Sequence, residues 1–193
     1  VGSRLTTSSK FAVVTKSPLT GFIGDSLSSS FLATELKKTG CDAVVITGKS
    51  DTLTLLSIED GEVRYIDAAD LAGLSTSETE SRVKERLGAR TRVACIGPAG
   101  EWLVRFASIS NDGGRQAGRT GPGAVMGSKN LKAVAVRGTQ GVRVAKPKAF
   151  LKAVAAARRK LDPHPARIRL ATVGTMAMLD NTNAYGSLPT RNC

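Results

Sequence analysis

Residues 113–133 read GGRQAGRTGPGAVMGSKNLKA, and this glycine- and arginine-rich stretch is the most informative part of the chain. Five glycines fall between Gly113 and Gly123, with Arg115 and Arg119 among them. Because glycine has no Cβ, successive backbone N–H groups can line a concave anion site. Each guanidinium adds a permanently charged, planar donor that fits phosphate oxygens. The pattern predicts a pocket for a phosphorylated, multiply anionic cofactor.

The residues that follow this stretch bear on the same prediction. The run becomes compatible with a helix around Val125 and Met126, and a helix N-terminus would add partial positive charge at the end of the loop. Arginine- and glycine-rich runs also occur in flexible tails that bind nucleic acids, which is the main alternative. The apolar blocks at residues 124–126 and 133–136 argue against a tail, because disordered segments rarely contain such blocks.

The composition indicates a soluble protein with an anionic partner. With 193 residues and 41% hydrophobic content, the chain can hold one domain and part of a second. Its 28 basic and 16 acidic residues give a net charge of +12. Aromatic residues make up 4%, which argues against a single-strand nucleic-acid partner because few bases could stack. Apolar runs fall short of the roughly 18 residues of a membrane helix, and no signal peptide is visible, so no membrane contact and a cytoplasmic location are expected.

The cysteines stand far apart, at Cys41, Cys95 and Cys193, and form no C-x-x-C pair. This spacing excludes a disulfide framework and offers no zinc or iron–sulfur site within the chain, so no metal ligand is predicted. Cys41 and Cys95 adjoin apolar, strand-like runs, which predicts buried and inert thiols. His164 lies between two prolines and is not expected to be catalytic. Because the first residue is Val1 and not Met, and no terminal element precedes Cys193, both ends are expected to be truncated.

Hydrophobic periodicity predicts a series of short strands. They are residues 11–16, 43–46, 52–58, 62–66, 93–96, 103–109 and 133–136. The dipeptide Asp60-Gly61 separates two of them and predicts a tight hairpin turn. Residues 17–30, rich in glycine and serine, are predicted to form a loop.

Two helices are predicted among these strands. The first spans residues 31–38 and ends at Gly40. The second begins with a capping box formed by Ser77 and Glu80 and runs to Leu87.

The order strand, glycine loop, helix and strand occurs over residues 11–48 and again over about residues 103–138. Aligning the two copies places residues 43–44 on residues 133–134 at low identity, so a duplication and a chance match both stay open. The mixture of strands and helices predicts an α+β fold, and a duplication would build it from two strand–loop–helix–strand units. Two facing glycine loops would suit a ligand with two similar halves. The start of an all-α domain follows.

The domain boundary is predicted at residue 145, so that residues 1–145 form the N-terminal domain and residues 146–193 begin a helical domain. Pro147 is well suited to the first turn of a helix. Its apolar stripe is formed by Phe150, Val154 and Leu161. The sequence DPHP at residues 162–165 ends this helix, and a further helix is predicted over residues 167–179.

Four segments of the chain carry a family resemblance. They are VVTKSPLTGFIGDS at 13–26, ELKKTGCDAVVITGKS at 35–50, IGPAGEWLVRFASISNDGGRQAGRTGPGAVMGSKNLKAVAVRGT at 96–139 and GSLPTRN at 186–192. These segments resemble the tungsten-dependent aldehyde ferredoxin oxidoreductase family. The similarity covers nearly the whole chain in the family's order. It implies that residues 1–145 are the family's tungstopterin-binding N-terminal domain, in which duplicated strand–loop–helix–strand units form two mostly antiparallel sheets around a cofactor cleft. Residues 146–193 would begin the family's helical region.

The resemblance also implies a cofactor and a reaction. The family binds tungsten, or molybdenum, through two pyranopterins whose phosphates are bridged by magnesium. It oxidises aldehydes to carboxylic acids and passes electrons through a [4Fe–4S] cluster to ferredoxin. The cluster ligands would lie outside this chain, so the chain by itself is expected to be inactive. Ferredoxin and a small aldehyde are the expected partners, and a homo-oligomer is left open.

Seven residues are carried over to the cofactor site by position. The family's R-x-x-G-R segment falls on Arg115, Gln116, Gly118 and Arg119, with Gln116 replacing a small residue whose main-chain carbonyl helps to hold the magnesium. The others are Lys10, Leu27 and Ser29, where the family commonly has arginine, asparagine and glycine. No catalytic residue is assigned. Two other functions stay open at this point: a basic nucleic-acid-binding protein, and a non-catalytic remnant of the family.

Overall fold

A computed structural model describes residues 1–3, 5 and 7–189. The described residues form two compact units, which divide between Val142 and Arg143. The first unit contains two β-sheets with helices, and the second is helical. The predicted α+β class with two sheets is therefore confirmed.

The elements are named in chain order. The strands are β1 (Lys10–Lys16), β2 (Ile23–Ser29), β3 (Thr54–Glu59), β4 (Glu62–Asp67), β5 (Arg92–Cys95), β6 (Ile109–Asn111), β7 (Arg115–Ala117) and β8 (Leu131–Arg137). The helices are α1 (Phe31–Lys38), α2 (Thr76–Leu87), α3 (Pro98–Glu101), α4 (Pro122–Ser128), α5 (Pro147–Leu161), α6 (Pro165–Val173) and α7 (Leu179–Ala184). Short 3₁₀ turns lie at Ala69–Leu71 and Gly174–Met178.

The two sheets differ in size. Strands β1 and β2 form an antiparallel hairpin, and the other strands form a six-stranded sheet in the order β4-β3-β8-β5-β6-β7. The pair β3–β8 is parallel, whereas the remaining described pairs are antiparallel, as the sequence predicts. The hairpin between β3 and β4 turns at Asp60 and Gly61, which both have positive φ, as expected for this dipeptide.

Helices cover both faces of the six-stranded sheet at its centre. Alternate residues of β8 enter two different apolar clusters, because successive side chains of a strand point to opposite faces. Val136 packs in the cluster that includes Leu32 of α1 and Met126 of α4. Ala135 packs in the cluster that includes Val83 of α2.

A β-bulge in β8 places a lysine inside the protein. The register shifts so that Thr54 pairs with Leu131 and Leu55 with Ala133, which leaves Lys132 as the extra residue. Lys132 is fully buried, and its Nζ donates to the Leu74 carbonyl at 2.9 Å and to the Glu101 carboxylate. This ion pair ties α3 and the segment before α2 to the centre of the sheet.

Two predicted strands do not form as expected. Residues 43–46 lie outside any strand, with Val45 85% exposed, because a β-branched run becomes a strand only where it pairs with another edge. Of the strand predicted over 103–109, only Ile109 lies in a strand, at the start of β6, since Leu103 has φ of 59° and turns the chain shortly after α3. The first copy of the predicted repeat therefore lacks its closing strand.

Half of the loop predicted over residues 17–30 forms strand β2 instead. The turn is confined to residues 17–22, where the Ser17 N–H donates to the Phe22 carbonyl at 2.9 Å and closes the hairpin. The following residues alternate between exposed and buried, which is the pattern of a strand with one buried face. Small polar side chains are therefore compatible with a strand here because they face a close neighbour.

The predicted helix over 31–38 forms as α1, and Gly40 follows it with φ of 90°. The capping box of α2 was assigned two residues too late: it is formed by Ser75 and Glu78. Ser75 Oγ accepts from the Glu78 N–H at 3.3 Å, and the Glu78 carboxylate accepts from the Ser75 N–H at 2.9 Å.

In the second unit, α5 begins at Pro147 and ends at the DPHP sequence, as predicted. The helix predicted over 167–179 instead ends at Val173 with α6, because Gly174 has φ of 63°, and the 3₁₀ turn Gly174–Met178 separates it from α7. Among the described residues, no helix combines the length and apolar character needed to cross a membrane.

Candidate anion-binding site

The seven predicted site residues all lie in the first unit, on β1, β2, β7 and the segment after β7. On the hairpin side, Lys10 pairs with Ser29 where β1 begins and β2 ends. Leu27 lies two residues before Ser29 and is 57% exposed on the outer face of β2. The hairpin therefore brings Lys10, Leu27 and Ser29 together at one end.

On the other side, Arg115 and Gln116 belong to β7, while Gly118 and Arg119 follow it. All four residues are exposed. Neither guanidinium forms an ion pair or a side-chain hydrogen bond with another residue in the described part of the chain. The Gln116 amide, in contrast, accepts from Ser108 Oγ at 2.7 Å and donates to Ser110 Oγ at 3.0 Å. The guanidiniums of Arg115 and Arg119 are thus available to a ligand, whereas the Gln116 side chain is already hydrogen-bonded within the chain.

A narrow contact between β2 and residues 111–120, here called the seam, joins these two sides. Ser26 Oγ accepts a hydrogen bond from the Arg119 N–H at 3.0 Å. Ser28 Oγ and the Asn111 amide exchange hydrogen bonds at 3.2–3.3 Å, both groups being buried. A Cβ on Gly24 would lie 2.5 Å from Cβ of Thr120. The seam therefore fixes Arg119 beside the strand that carries Leu27.

Hydrogen bonds to α1 and α2 hold the turn that precedes Arg115. Asp112 Oδ2 accepts from the Phe31 N–H at 2.5 Å, at the first residue of α1. Glu80 Oε2 accepts from the Gly113 N–H at 2.9 Å. Asp112 Oδ1 also faces Arg92 Nη1 at 3.6 Å, and the Arg92 guanidinium stacks over the Phe31 ring. These contacts position the glycine turn against two helices.

The glycines of the run serve different purposes. A Cβ at Gly121 would lie 2.0 Å from the Arg105 carbonyl oxygen, and one at Gly123 would lie 2.4 Å from the Ser108 oxygen, so packing requires both. Gly113 and Gly114 have positive φ, so the turn requires them. At Gly118 neither reason applies, since the nearest atom to an added Cβ is 3.7 Å away. The missing side chain of Gly118 leaves open space beside exposed backbone, as a closely approaching ligand would need.

The N-terminus of α4 does not contribute to this site, contrary to the sequence-based expectation. Gly121, Pro122 and Gly123 are buried. Pro122 has no N–H, and the Gly123 N–H donates to the Ala107 carbonyl at 2.9 Å. The first donors of the helix are therefore absent or occupied, and the positive groups of the site are the arginines and Lys10.

The two described cysteines, Cys41 and Cys95, differ in burial. Cys95 is buried, as predicted, and burial together with the Glu80 carboxylate raises the pKa of its thiol from 9.0 to about 12. Cys41 is only half-buried, because the strand predicted beside it does not form. Cys193 lies outside the described residues. Within the described chain, no cluster of three or more histidine, cysteine or acidic side chains could hold a metal ion.

A cavity of about 750 Å³ lies elsewhere in the first unit, between β1, α1, residues 41–46 and one face of the six-stranded sheet. Its walls are largely apolar, with Val13, Leu36 and Val134 among them. Of the seven predicted site residues, each of which is described, Lys10 alone lines it. An apolar chamber does not suit phosphate, so the seam and not this cavity is the candidate anion site.

Several residues that build the seam were not identified from the sequence. They are Gly24, Ser26, Ser28, Asn111 and Asp112. The available signal was the alternation of small residues at positions 24, 26 and 28, which is the period of a strand with a close neighbour. The identity of that neighbour, more than 80 residues away, has no local signature.

Comparison with known proteins supports the family resemblance. The family described as aldehyde ferredoxin oxidoreductase, N-terminal domain, matches residues 1–138. A tungsten-containing aldehyde ferredoxin oxidoreductase of Pyrococcus abyssi is 44% identical over 193 residues, covering 99% of this chain and 32% of that protein. The protein of the same description from Thermococcus kodakarensis is also 44% identical, with the same coverage. The chain thus spans about a third of the length of these curated relatives.

A solved structure is also similar to this chain. The active-site complex BamBC of benzoyl coenzyme A reductase, in complex with 1,5-dienoyl-CoA, matches with a TM-score of 0.81 and 39% identity. The match covers 83% of this chain and 25% of that one. The resemblance expected from the sequence is confirmed, and the chain belongs to the aldehyde ferredoxin oxidoreductase family through that family's N-terminal domain.

Proposed function

We propose that residues 1–145 hold the phosphate groups of a tungsten, or molybdenum, bis-pyranopterin cofactor in an oxidoreductase. The observation that carries this proposal is the pair of exposed arginines, Arg115 and Arg119, on either side of Gly118. A Cβ at Gly118 would clash with no neighbouring atom, so packing within the chain does not require glycine there. Residues 146–193 would begin the helical domain that follows.

The donor set suits phosphate. Arg115 and Arg119 have no acidic partner among the described residues, so binding an anion would not require breaking an ion pair. Lys10 adds a third positive charge across the seam, on the hairpin. Each charge-assisted contact between an arginine and a phosphate contributes about 1.5–3 kcal/mol. Main-chain carbonyls of Gln116 and Leu27 would hold the bridging magnesium, as the family resemblance implies.

The cofactor, when bound, would supply the redox chemistry of the metal and its dithiolenes. The residues of this chain would bind and orient it. Arg115 and Arg119 would neutralise phosphate charge, the exposed backbone at Gly118 would allow close approach, and the seam would keep the two sides at a constant distance. No residue of this chain is assigned a proton-transfer role.

The proposed reaction is the oxidation of aldehydes to carboxylic acids with ferredoxin as electron acceptor. The similarity to tungsten-containing aldehyde ferredoxin oxidoreductases over 99% of the chain supports this choice. A [4Fe–4S] cluster would be bound by residues outside this chain, which is why the chain alone is proposed to be inactive. We place the protein in the cytoplasm, and a homo-oligomer is compatible with the proposal.

Binding of magnesium pyrophosphate to the 193-residue chain tests the anion site. Arg119→Ala should weaken binding at least about tenfold, because one charge-assisted contact is lost. Arg90→Ala is the matched control, since Arg90 is an exposed arginine in the turn before β5 and belongs neither to β2 nor to residues 111–120. Equal loss in the two variants would indicate diffuse attraction to a basic protein and would contradict the proposed site.

A second experiment addresses the cofactor itself. In the protein purified from a tungstate-supplied host, Arg119→Ala should lower tungsten per polypeptide, measured by elemental analysis, while Arg90→Ala should not. Normal tungsten content in Arg119→Ala would count against the proposal. Binding to DNA that persists at physiological salt would instead favour the nucleic-acid alternative.

A further inference from the structure

The buried face of β2 carries a regular series of small residues that touches the arginine segment. Gly24, Ser26 and Ser28 face inward, while the residues between them are exposed. Ser26 is 2% exposed and Ser28 is 4% exposed. Each member of the series meets a different point on residues 111–120, as described for the seam. These three contacts therefore fix the position of residues 111–120 along β2.

We infer that Ser26 is a positioning residue that sets the place of Arg119 in the anion site. This inference rests on the proposed function. Ser26 Oγ accepts from the Arg119 main-chain N–H, so it acts on the backbone from which the guanidinium projects and does not itself contact a ligand. The exposed neighbours of Ser26 on β2 include Leu27, one of the proposed cofactor residues. One strand thus presents Leu27 on its outer face and holds Arg119 through its inner face.

The contact between Ser28 and Asn111 fixes the other end of β7. Asn111 is the Cα partner of Arg115 in the hairpin of β6 and β7, and it is fully buried. Ser28 and Ser26 consequently hold β2 at points just before and just after β7. With both points held, the spacing between Arg115 and Arg119 on one side and Leu27 on the other is set before any ligand arrives. Preorganisation of this kind raises affinity by lowering the cost of ordering on binding.

Ser26→Ala tests the inference because it removes the acceptor with little change in volume. The amide of Arg119 should exchange with solvent deuterium about two- to tenfold faster, as expected for the loss of one hydrogen bond. Magnesium pyrophosphate should bind about two- to tenfold more weakly for the same reason. Thermal unfolding of each variant, followed by circular dichroism, verifies that the fold is retained.

The salt dependence of pyrophosphate binding distinguishes the positioning role of Ser26 from the charge that Arg119 contributes. In Ser26→Ala the slope of affinity against salt concentration should equal that of the wild-type chain, because no charge is removed. In Arg119→Ala the slope should decrease. Ser28→Ala is the control, which should leave the Arg119 amide protected.

The possible failures are distinguishable. If the wild-type chain binds pyrophosphate and Ser26→Ala binds it equally well, the positioning role is wrong and the proposed function stands. If the wild-type chain does not bind pyrophosphate, the proposed function fails and the positioning role fails with it. Unchanged exchange at the Arg119 amide in Ser26→Ala would overturn the inference irrespective of binding.

Discussion

The carboxylate of Asp112 accepts a hydrogen bond from the main-chain N–H of Phe31 at 2.5 Å, across 81 positions of sequence. This contact joins the turn before Arg115 to the first residue of α1. Ser30 satisfies a second N–H at the same helix end, since its hydroxyl accepts from the Leu32 N–H at 3.1 Å. The turn that leads into Arg115 therefore also holds the start of α1.

Replacement of Asp112 should destabilise the protein. Asp112→Ala removes the acceptor at Phe31 and places alanine at φ of 43°, so the free energy of unfolding should fall by about 2 kcal/mol. Asp112→Asn tolerates the left-handed backbone and should cost less. Urea unfolding measures both variants, with Asp51→Ala as an exposed control. Equal stability of Asp112→Ala and the control would contradict the capping role.

Gly118 and Gly121 flank Arg119 and Thr120, and substitution by alanine should affect a different property at each. Gly121→Ala forces a Cβ to within 2.0 Å of the Arg105 oxygen at φ of 73°, so the loss of stability should be about 3 kcal/mol or more. Gly118→Ala has room for its methyl group and should leave stability nearly unchanged. It should nevertheless weaken pyrophosphate binding, because the methyl occupies the proposed path of the ligand. Unimpaired binding by Gly118→Ala would argue against close approach of a ligand to that backbone.

The buried ion pair between Lys132 and Glu101 should be costly to break. Lys132→Ala leaves the Glu101 carboxylate, whose side chain is 14% exposed, without its partner, and should cost about 3–5 kcal/mol. Lys132→Met keeps most of the volume, and combining it with Glu101→Gln should recover part of the loss because no lone charge stays buried. Lys49→Ala, at an exposed lysine, serves as the control in denaturant unfolding. A single Lys132→Ala variant as stable as the control would refute the structural role of the pair.

The raised pKa of Cys95 predicts a decline of stability at alkaline pH. The thiol ionises near pH 9.0 when unfolded but near pH 12 when folded, because burial disfavours the thiolate. Its contribution is therefore fully present below pH 9.0 and is lost as the pH rises towards about 12. Between these values the free energy of unfolding of the wild type should fall, relative to Cys95→Ala, by about 1.4 kcal/mol per pH unit.

Urea titrations at several alkaline pH values measure that difference. A constant difference between the wild type and Cys95→Ala would show that the thiol ionises equally in both states. Alkylation provides an independent check in a Cys193→Ser background. Cys41, which is half-buried, should react in the folded protein, and Cys95 should react only on unfolding.

The sequence was sufficient to predict those features of the fold that neighbouring residues determine by themselves. Asp60 and Gly61 specify a tight turn through their positive φ, and Pro147 marks the start of α5 in the described chain. The glycine–arginine run was also recognisable because its chemistry is contained in a few neighbouring positions. The sequence does not reveal which of its glycines packing requires, since that depends on Arg105 and Ser108 in space.

The sequence-based predictions were wrong where the structure of a segment depends on a contact with residues distant in sequence. Residues 43–46 have the composition of a strand, yet no described strand pairs with them. Residues 23–29 have the composition of a loop, yet they form β2 because small side chains are needed against residues 111–120. The capping box was assigned to Ser77 and Glu80, whereas Glu80 binds the Gly113 N–H instead.

The position of β8 has a consequence for how the protein is made. This strand lies between β3 and β5 in the sheet, although it leaves the ribosome after both of them. Until residue 137 has emerged, β3 and β5 lack the neighbour that joins them, and their apolar edges are unprotected. Nascent chains that stall before this point should therefore depend on chaperones, and release from them should coincide with synthesis of the last strand.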